Sequence, residues 1–292
     1  MSSLYVASEM GYFSDAGLDV EIEPVNNSPQ SIPLLAGGKI DVSFAVPSPS
    51  FVNAVARGAR VRIVAAREVA SPGCSTAGRI YGRRDRFPAG LNDPASLKGK
   101  QIAIRGRASL VEFALDTLLR HAGLRTEDVR VVSLERSESI PALLSGRIDA
   151  IVSGFSFDHT LEEFPQLVPG PSLAQIYPNF QFSHIIFGKN LLEGPFEIGV
   201  NFLKAYFRGS QDFVNGKTPR FLEDYARSND LDFKRLRTAC RTDVVSDGHI
   251  DAQSLSRFVD WAVDKGYCEA SAKVLELTDL RFLAKTPKPG GD

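Results

Sequence analysis

The chain has 292 residues, with 34 Lys or Arg against 35 Asp or Glu, so its formal net charge is −1. This balance argues against the clustered basic surface of a nucleic-acid-binding protein, and no stretch approaches the ~20 continuous apolar residues of a membrane span. Three widely separated cysteines form no disulfide framework. Residues 1–6 lack the basic and apolar regions of a signal peptide, so the compartment stays open.

One passage of the sequence occurs twice. Its first copy comprises Ala16-Gly17-Leu18, a short apolar strand, Ser31-Ile32-Pro33-Leu34-Leu35 and Ile40-Asp41-Val42, and its second comprises Ala122-Gly123-Leu124, a strand, Ser139-Ile140-Pro141-Ala142-Leu143-Leu144 and Ile148-Asp149-Ala150. In each copy a Gly ends a helix, a strand follows, and Ser with Pro opens a second helix before the next strand. Short strand–helix–strand connections give right-handed parallel crossovers, so the repeat predicts two related α/β lobes.

The predicted elements follow this repeat along the chain. We expect a helix over residues 4–16, strands over 20–25, 42–46 and 61–66, a helix over 51–57, a strand over Gln101–Ile104, a helix over Leu110–His121, a strand over 129–134, and tail helices over 196–213, 220–227, 232–240, 252–265 and 271–277. Small residues and breakers mark a first crossing between lobes over 67–79, and 181–187 is the second. Lobe 1 is therefore predicted to hold residues 1–70 and 186–292, and lobe 2 residues 71–185.

The two copies differ at their upstream ends. Leu4 stands twelve residues before Ala16, and Leu110 stands twelve before Ala122, so the repeat includes the preceding helix. In the second lobe the strand Gln101–Ile104 precedes that helix, whereas the matching strand of the first lobe would fall before Met1. We therefore expect the first strand of lobe 1 to be missing from the chain as given.

Four loops are expected at the carboxyl ends of parallel strands, where ligands of α/β sheets gather: residues 26–30, 46–50, 105–109 and 153–159. The loop Arg105-Gly106-Arg107-Ala108-Ser109 is the strongest candidate. Its Gly permits close backbone approach, and the following helix N-terminus and the guanidinium groups favour a sulfonate, carboxylate or phosphate. The alternative is that the arginines are solvated and that Ser109 only caps the helix. The loop lacks the Lys and the spacing of a phosphate P-loop.

Other side chains leave alternatives open. Phe155 and Phe157, and Phe180 and Phe182 near the second crossing, are candidates for stacking on a planar ligand or for ordinary core packing. Cys74 is a candidate nucleophile with Ser75, His159 or His184 as partners, or a small buried apolar residue. Cys240 and Cys268 are expected to be structural. The four histidines show no metal-ligand spacing, so neither a metal nor another cofactor is expected.

Four longer stretches form a recognisable set: residues 4–22, Leu35-Ala-Gly-Gly-Lys-Ile-Asp-Val, Leu97-Lys-Gly-Lys-Gln-Ile-Ala-Ile and Phe202-Leu-Lys-Ala-Tyr. In these stretches the chain resembles the SsuA/THI5-like (NMT1-like) family of type II periplasmic binding proteins. The resemblance covers nearly the whole chain and implies two mostly parallel α/β lobes that close around a ligand. It also implies ligand-binding positions at Asn27, Ser28, Gln30, Ser48, Cys74, Ser75, Arg107, Ser109, Phe155 and Asp158.

Members of this family typically deliver sulfonates, taurine, pyrimidines or related molecules to an ABC importer. The resemblance therefore implies a monomeric, periplasmic solute-binding protein with a small-molecule ligand and permease and ATPase partners. If Met1 is the true start, the expectation is cytoplasmic. The same scaffold hosts enzymes, so the alternative is a desulfinase-like enzyme that uses Cys74. The cysteine-rich motif expected of the pyrimidine-precursor synthase is absent.

Overall fold

The computed structural model describes residues 2–23, 28–71, 77–154, 161, 164–217, 220, 223–224, 227, 243–269 and 274–286. The chain divides into two compact units. Unit 1 comprises Met1–Val69 and Gln181–Asp292, and unit 2 comprises Ala70–Phe180. Both changes of unit therefore occur at ends of long strands, β2 (Arg62–Ala70) and β8 (Phe180–Phe187).

Unit 1 contains helices and a sheet of three strands in the order β1, β8, β2. The elements are α1 (Ser2–Glu9), α2 (Tyr12–Asp15), α3 (Ser28–Ala36), β1 (Val42–Ala45), α4 (Pro49–Ala56), β2, β8, α8 (Lys189–Glu193), α9 (Phe196–Val214), α10 (Ala252–Asp264), α11 (Val274–Leu277) and α12 (Arg281–Ala284). Strand β1 pairs with β8 in antiparallel register, Val42 opposite Phe187. Only one edge of β1 is therefore occupied within this sheet.

Aromatic side chains form much of the core of unit 1. Phe187 of β8 meets Phe202 of α9 and Phe282 of α12 edge to face, with ring centroids 6.0 and 5.1 Å apart. Phe13 of α2 stacks on Phe202 at 5.2 Å. Such offset or perpendicular arrangements match the charge distribution of aromatic rings. They join the first helices, the sheet and the tail of the chain in one core.

Unit 2 is built on a sheet of five strands in the order β5, β4, β6, β3, β7. Its elements are β3 (Ile80–Arg83), β4 (Gln101–Ile104), α5 (Leu110–His121), β5 (Arg130–Ser133), α6 (Arg136–Leu144), β6 (Ala150–Val152), β7 (Leu167–Pro169) and α7 (Leu173–Ile176), with 3₁₀ turns at Pro94–Leu97 and Thr126–Asp128. Strand β4 runs parallel to both β5 and β6, whereas β3 runs antiparallel to β6 and β7. The parallel half carries the repeated strand–helix–strand passage.

The sequence repeat is also a structural repeat. Helix α6 begins and ends 108 residues after α3, and both helices contain an internal proline, Pro141 and Pro33. Strand β6 likewise begins 108 residues after β1. Each copy therefore uses the same connection from a proline-containing helix into a strand of the sheet, which is fully buried in β6 and partly buried in β1.

Two predicted elements are wrong in detail. The helix expected over residues 4–16 is two helices, because Gly11 adopts a left-handed φ of 74° between α1 and α2. Residues 20–23, the described part of the strand expected over 20–25, alternate in burial like a strand but belong to no ladder, because no strand pairs with them among the described residues. Residues 24–25 of that predicted strand lie outside the described part.

The tail helices occupy unit 1. Helices α9 and α10 match the expected segments closely, whereas the segment expected over 232–240 lies outside the described residues. In the part of the chain that is described, no helix is long and apolar enough to cross a membrane.

Candidate functional site

The loop between β4 and α5 in unit 2 holds the best-defined candidate site. Strands β4, β5 and β6 are parallel, so their carboxyl ends meet at one edge of the sheet, and this loop leaves that edge from Ile104. The twelve-residue helix α5 begins directly after it, so the helix N-terminus faces the same region. The partial positive charge of a helix N-terminus favours anionic groups there.

Ser109 is the N-cap of α5. Its Oγ accepts a hydrogen bond from the Glu112 N–H at 3.2 Å and donates one to the Gly106 carbonyl oxygen at 2.7 Å. The residue before it, Ala108, has a φ of 52°, a left-handed conformation that is uncommon for a residue with a Cβ. The loop is thus held in a tight turn by the cap.

The carboxylate of Glu112 lies at the centre of this loop. It accepts a hydrogen bond from the Ala108 N–H at 2.7 Å and one from the Arg107 guanidinium at 2.8 Å. The Glu112 side chain is only 3% exposed, whereas that of Arg107 is 48% exposed. A buried carboxylate therefore holds the Nη1 atom of a guanidinium on a side chain that is about half exposed.

Sequence reasoning missed Glu112. The signal was available, because Ser109 and Glu112 have the Ser-x-x-Glu spacing of a capping box. In this loop the carboxylate reaches the Ala108 N–H, one residue before the N-cap. The structure thus adds a fixed negative charge to a loop that the sequence presents as cationic.

Arg105 opens the same loop, and its Nε lies 3.8 Å from a carboxylate oxygen of Glu135, which precedes α6. Both side chains are exposed, at 57% and 70%. Ion pairs of this kind contribute little to stability. Arg105 and Glu135 nevertheless place the loops that follow β4 and β5 side by side.

Ser48 in unit 1 occupies the position that corresponds to a helix-opening loop. It follows β1, is buried, and caps α4 by accepting a hydrogen bond from the Phe51 N–H at 3.3 Å. Its Oγ also lies 2.8 Å from the Ser50 Oγ. Gln30 is exposed in the first turn of α3, and Ser28 is the first residue of that helix.

The other sequence-predicted positions lie outside the described residues: Asn27, Cys74, Ser75, Phe155 and Asp158, together with the side chain of Ser28 and the residues Phe157 and His159. Of the ten implied ligand positions, the structure brings Arg107 and Ser109 into one loop of unit 2. Ser48 and Gln30 belong to unit 1.

Two of the aromatic candidates are core residues of their units. Phe180 is 2% exposed and stacks on Phe113 with ring centroids 5.3 Å apart. Phe182 is 4% exposed. Neither side chain presents a free face for a planar ligand, so the core-packing alternative applies to both.

Cys268 and His184 are poorly suited to nucleophilic catalysis. Burial raises the pKa of the Cys268 thiol to about 11, so the thiolate is scarce at neutral pH. Burial, followed by the positive charge of Arg67, lowers the pKa of His184 to about 3. Within the described residues no group of three or more His, Cys, Asp or Glu side chains is placed to hold a metal ion.

Comparison with known proteins places this fold in a family. The NMT1/THI5-like family model matches residues 1–215, so the chain belongs to that family. The fold is the two-lobed α/β fold of type II periplasmic binding proteins, and the resemblance inferred from the sequence is confirmed.

Three similar proteins illustrate the range of the family and the fold. A Brucella abortus (strain 2308) protein that is named as a binding protein is 24% identical over 239 residues, covering 81% of this chain and 70% of its own length. The periplasmic aliphatic sulphonate-binding protein SsuA of Escherichia coli has a similar structure, with a TM-score of 0.75, 14% identity, and coverage of 95% of this chain and 88% of that chain. The 4-amino-5-hydroxymethyl-2-methylpyrimidine phosphate synthase THI13 of Saccharomyces cerevisiae (strain ATCC 204508 / S288c) is 29% identical over 147 residues, covering 50% of this chain and 40% of its own length.

Proposed function

We propose that this protein is the solute-binding component of an ABC importer. It captures a small anionic or planar molecule, of the sulfonate, aromatic carboxylate or pyrimidine class, in a cleft between its lobes and releases it unchanged. Family membership supports this function, and the sulphonate-binding protein of the same fold points to an anionic ligand. The observation that carries the ligand class is the Arg107 loop at the N-terminus of α5.

The chemistry of that loop suits one anionic group. A guanidinium carries five N–H donors, and within the described residues one hydrogen bond of Arg107 is made, to Glu112. The remaining donors lie on a side chain that is half exposed. Hydrogen bonds between a guanidinium and an oxyanion are short and charge-assisted, so the loop favours a sulfonate or carboxylate over a neutral molecule.

The remaining contacts of the ligand belong to the proposal. Polar side chains from the other helix-opening loops orient the ligand, and an aromatic side chain covers its apolar part. The proposed residues are Asn27, Ser28, Gln30, Ser48, Cys74, Ser75, Ser109, Phe155 and Asp158. Ligand binding favours the closed arrangement of the lobes by its higher affinity for that state.

The proposed partners are the permease and ATPase subunits of an importer, and the proposed location is the periplasm. The proposed working form is a monomer. Delivery to a permease needs no chemistry in the binding protein, so no cofactor enters this function.

The first experiment is a thermal-shift screen with sulfonates, aromatic carboxylates and pyrimidines. A ligand at 100 times its Kd stabilises the folded state by about 2.7 kcal/mol and raises the Tm accordingly. After binding, the protein is unfolded and the ligand is recovered and analysed. Recovery of an unchanged stabilising ligand supports a binding protein, whereas steady conversion of the ligand contradicts it.

The alternative function is that of an enzyme of the desulfinase type with Cys74 as its nucleophile. The similarity to the yeast synthase supports this alternative, because that protein is named as an enzyme. The test is product formation from aromatic sulfinates by the wild-type protein and by Cys74→Ala, with Cys268→Ala as the matched control. Turnover that Cys74→Ala abolishes and Cys268→Ala retains would establish the enzyme.

A further inference from the structure

Arg79 lies at the same edge of the unit 2 sheet as the loop of residues 105–109. Strand β3 is antiparallel to β6, with Ile80 opposite Val152, so the residue just before β3 meets the residue just after β6. The N–H and the Oγ of Ser153 both donate to the Arg79 carbonyl oxygen, at 2.8 and 3.1 Å. Because β6 runs parallel to β4, Arg79 is level with the point where that loop leaves β4.

The Arg79 side chain makes few hydrogen bonds. Its Nη1 donates to the carbonyl oxygen of Gly170, directly after β7, at 3.2 Å. Its Nε is buried and has no hydrogen-bond partner among the described residues. The residue as a whole is only partly buried, so a ligand can still approach the guanidinium. A guanidinium has five N–H donors, and most of those of Arg79 are unused within the described part of unit 2.

Arg79 differs in its charge surroundings from the two arginines of the neighbouring loop. Arg107 pairs with the Glu112 carboxylate at 2.8 Å. The Nε of Arg105 lies 3.8 Å from a carboxylate oxygen of Glu135. Arg79 forms no ion pair with any described residue. It is therefore a partly buried positive charge without a compensating carboxylate, an arrangement that costs free energy.

Proteins keep such unfavourable charges mainly at functional sites. Arg79 lies at the edge of the sheet where the ligands of parallel α/β sheets bind. The missing negative charge is therefore expected to come from the ligand.

The two guanidinium groups are held at separate places along this edge. Strand β6 lies between β4 and β3, and neighbouring strands are about 4.8 Å apart. Roughly 10 Å therefore separates the strands that lead to Arg107 and Arg79. The bond to Gly170 holds Arg79 toward β7, away from β4, while Glu112 holds Arg107 at its own loop. This spacing suits two anionic groups on one ligand better than a single group.

We propose that Arg79 is a second ligand-binding residue and that the ligand carries two anionic groups, one bound by Arg107 and the other by Arg79. The ligand class is that of aromatic diacids, in which a rigid ring keeps two carboxylates, or a sulfonate and a carboxylate, apart. Each group receives charge-assisted hydrogen bonds from one guanidinium. This inference rests on the proposed function, because it names the ligand class of the same site.

The test compares three probe acids that share one ring: 4-sulfobenzoate, benzenesulfonate and benzoate. Isothermal titration measures their affinities for the wild-type protein, Arg79→Gln and the matched control Arg84→Gln. Arg84 follows β3 at its other end and is exposed. Its Nε donates to the Pro165 carbonyl oxygen at 3.2 Å, so it is also an arginine bonded to a backbone oxygen beside β7.

The wild-type protein and Arg84→Gln are expected to bind 4-sulfobenzoate at least tenfold more tightly than either single acid, and Arg79→Gln is expected to lose most of this preference. Single acids that bind the wild-type protein as tightly as the diacid would overturn the inference and leave the proposed function standing. Failure of all three acids to bind would also overturn the inference, and the screen with recovery of the ligand then decides the proposed function separately.

The Tm without ligand separates ligand binding from a structural role of Arg79. Because Arg79→Gln removes an uncompensated charge, its Tm is expected to equal or exceed that of the wild-type protein. A lower Tm together with an unchanged preference for the diacid would assign Arg79 a structural role and contradict the proposal.

Discussion

The guanidinium of Arg107 lies 2.8 Å from the buried carboxylate of Glu112, which also accepts the Ala108 N–H. This pair gives the candidate loop its shape and sets its charge. An anion that binds Arg107 meets a guanidinium already held in place, so less side-chain entropy is lost on binding. The same carboxylate reduces the net positive charge of the loop, so the site favours ligands that make direct hydrogen bonds over ligands attracted only by charge.

Glu112→Gln is expected to lower the free energy of unfolding by roughly 1.5–3 kcal/mol, because a hydrogen bond to a buried charge is lost. Glu138→Gln is the matched control, since Glu138 stands at the same position of α6 and accepts the Glu135 N–H at 3.2 Å but is exposed. Water replaces its hydrogen bond, so a change of less than about 0.5 kcal/mol is expected. Urea unfolding measures both variants. Equal losses would show that the Glu112 charge has no special structural role.

Acid is expected to destabilise the protein through His184. Its pKa is about 3 in the folded protein against 6.5 for an unperturbed imidazole, and neither ring nitrogen has a partner within the described residues. Between pH 3 and pH 6.5 the unfolded state therefore binds a proton at His184 that the folded state does not bind. As the pH drops from 6.5 toward 3, the titration of His184 lowers the free energy of unfolding by up to about 1.4 kcal/mol per pH unit. Above pH 6.5 this group causes no such loss of stability.

His184→Leu removes this titration and two unpaired nitrogens, so it is expected to flatten the dependence of stability on pH below 6.5. The control is His249→Leu, which changes an exposed histidine of the same unit. The free energy of unfolding is measured from pH 7.5 to pH 4.5. A slope that His184→Leu leaves unchanged would refute the assignment.

Gly209→Ala is expected to destabilise the protein although alanine is the better helix former. A Cβ at Gly209 of α9 would lie 2.6 Å from the Ala7 backbone nitrogen and 2.7 Å from the Ser3 carbonyl oxygen, both in α1. Overpacking costs about 1–3 kcal/mol, which exceeds the gain in helix propensity of about 1 kcal/mol. Lys204→Ala, at an exposed site of the same helix, is expected to be nearly neutral by thermal unfolding. A more stable Gly209→Ala protein would contradict the close contact of α1 and α9.

The sequence predicts those elements best whose local pattern and tertiary neighbours agree. The strand Gln101–Ile104 and the helix Leu110–His121 have the predicted bounds. The strand is apolar and pairs with a neighbouring strand on each side, and Ser109 caps the helix. Residues 18–23 carry an equally clear strand alternation, yet a strand also requires a partner, and none pairs with them among the described residues. Gly11 ends α1 through a backbone angle that its sequence neighbourhood does not reveal.

The candidate site was predictable only in part, because some of its contacts depend on tertiary packing. Arg107 and Ser109 are adjacent in sequence, so their common loop follows from local pattern. The burial of Glu112 and its bonds to Arg107 and Ala108 depend on how α5 packs, which the Ser-x-x-Glu spacing indicates but does not fix. For Phe180, the position near a crossing between the lobes offered a ligand contact as one alternative. In the structure the face of its ring stacks on Phe113 instead.

The proposed function depends on the binding of an anionic ligand by Arg107. Isothermal titration with the sulfonate or aromatic carboxylate that gives the largest thermal shift compares Arg107→Gln with Arg120→Gln. Arg120 lies at the other end of α5, is 57% exposed, and pairs at 2.7 Å with a buried carboxylate, Asp116, so the two substitutions are closely matched. We expect Arg120→Gln to bind like the wild-type protein and Arg107→Gln to bind about 10- to 100-fold more weakly. Equal affinity of the two variants would contradict this role of Arg107.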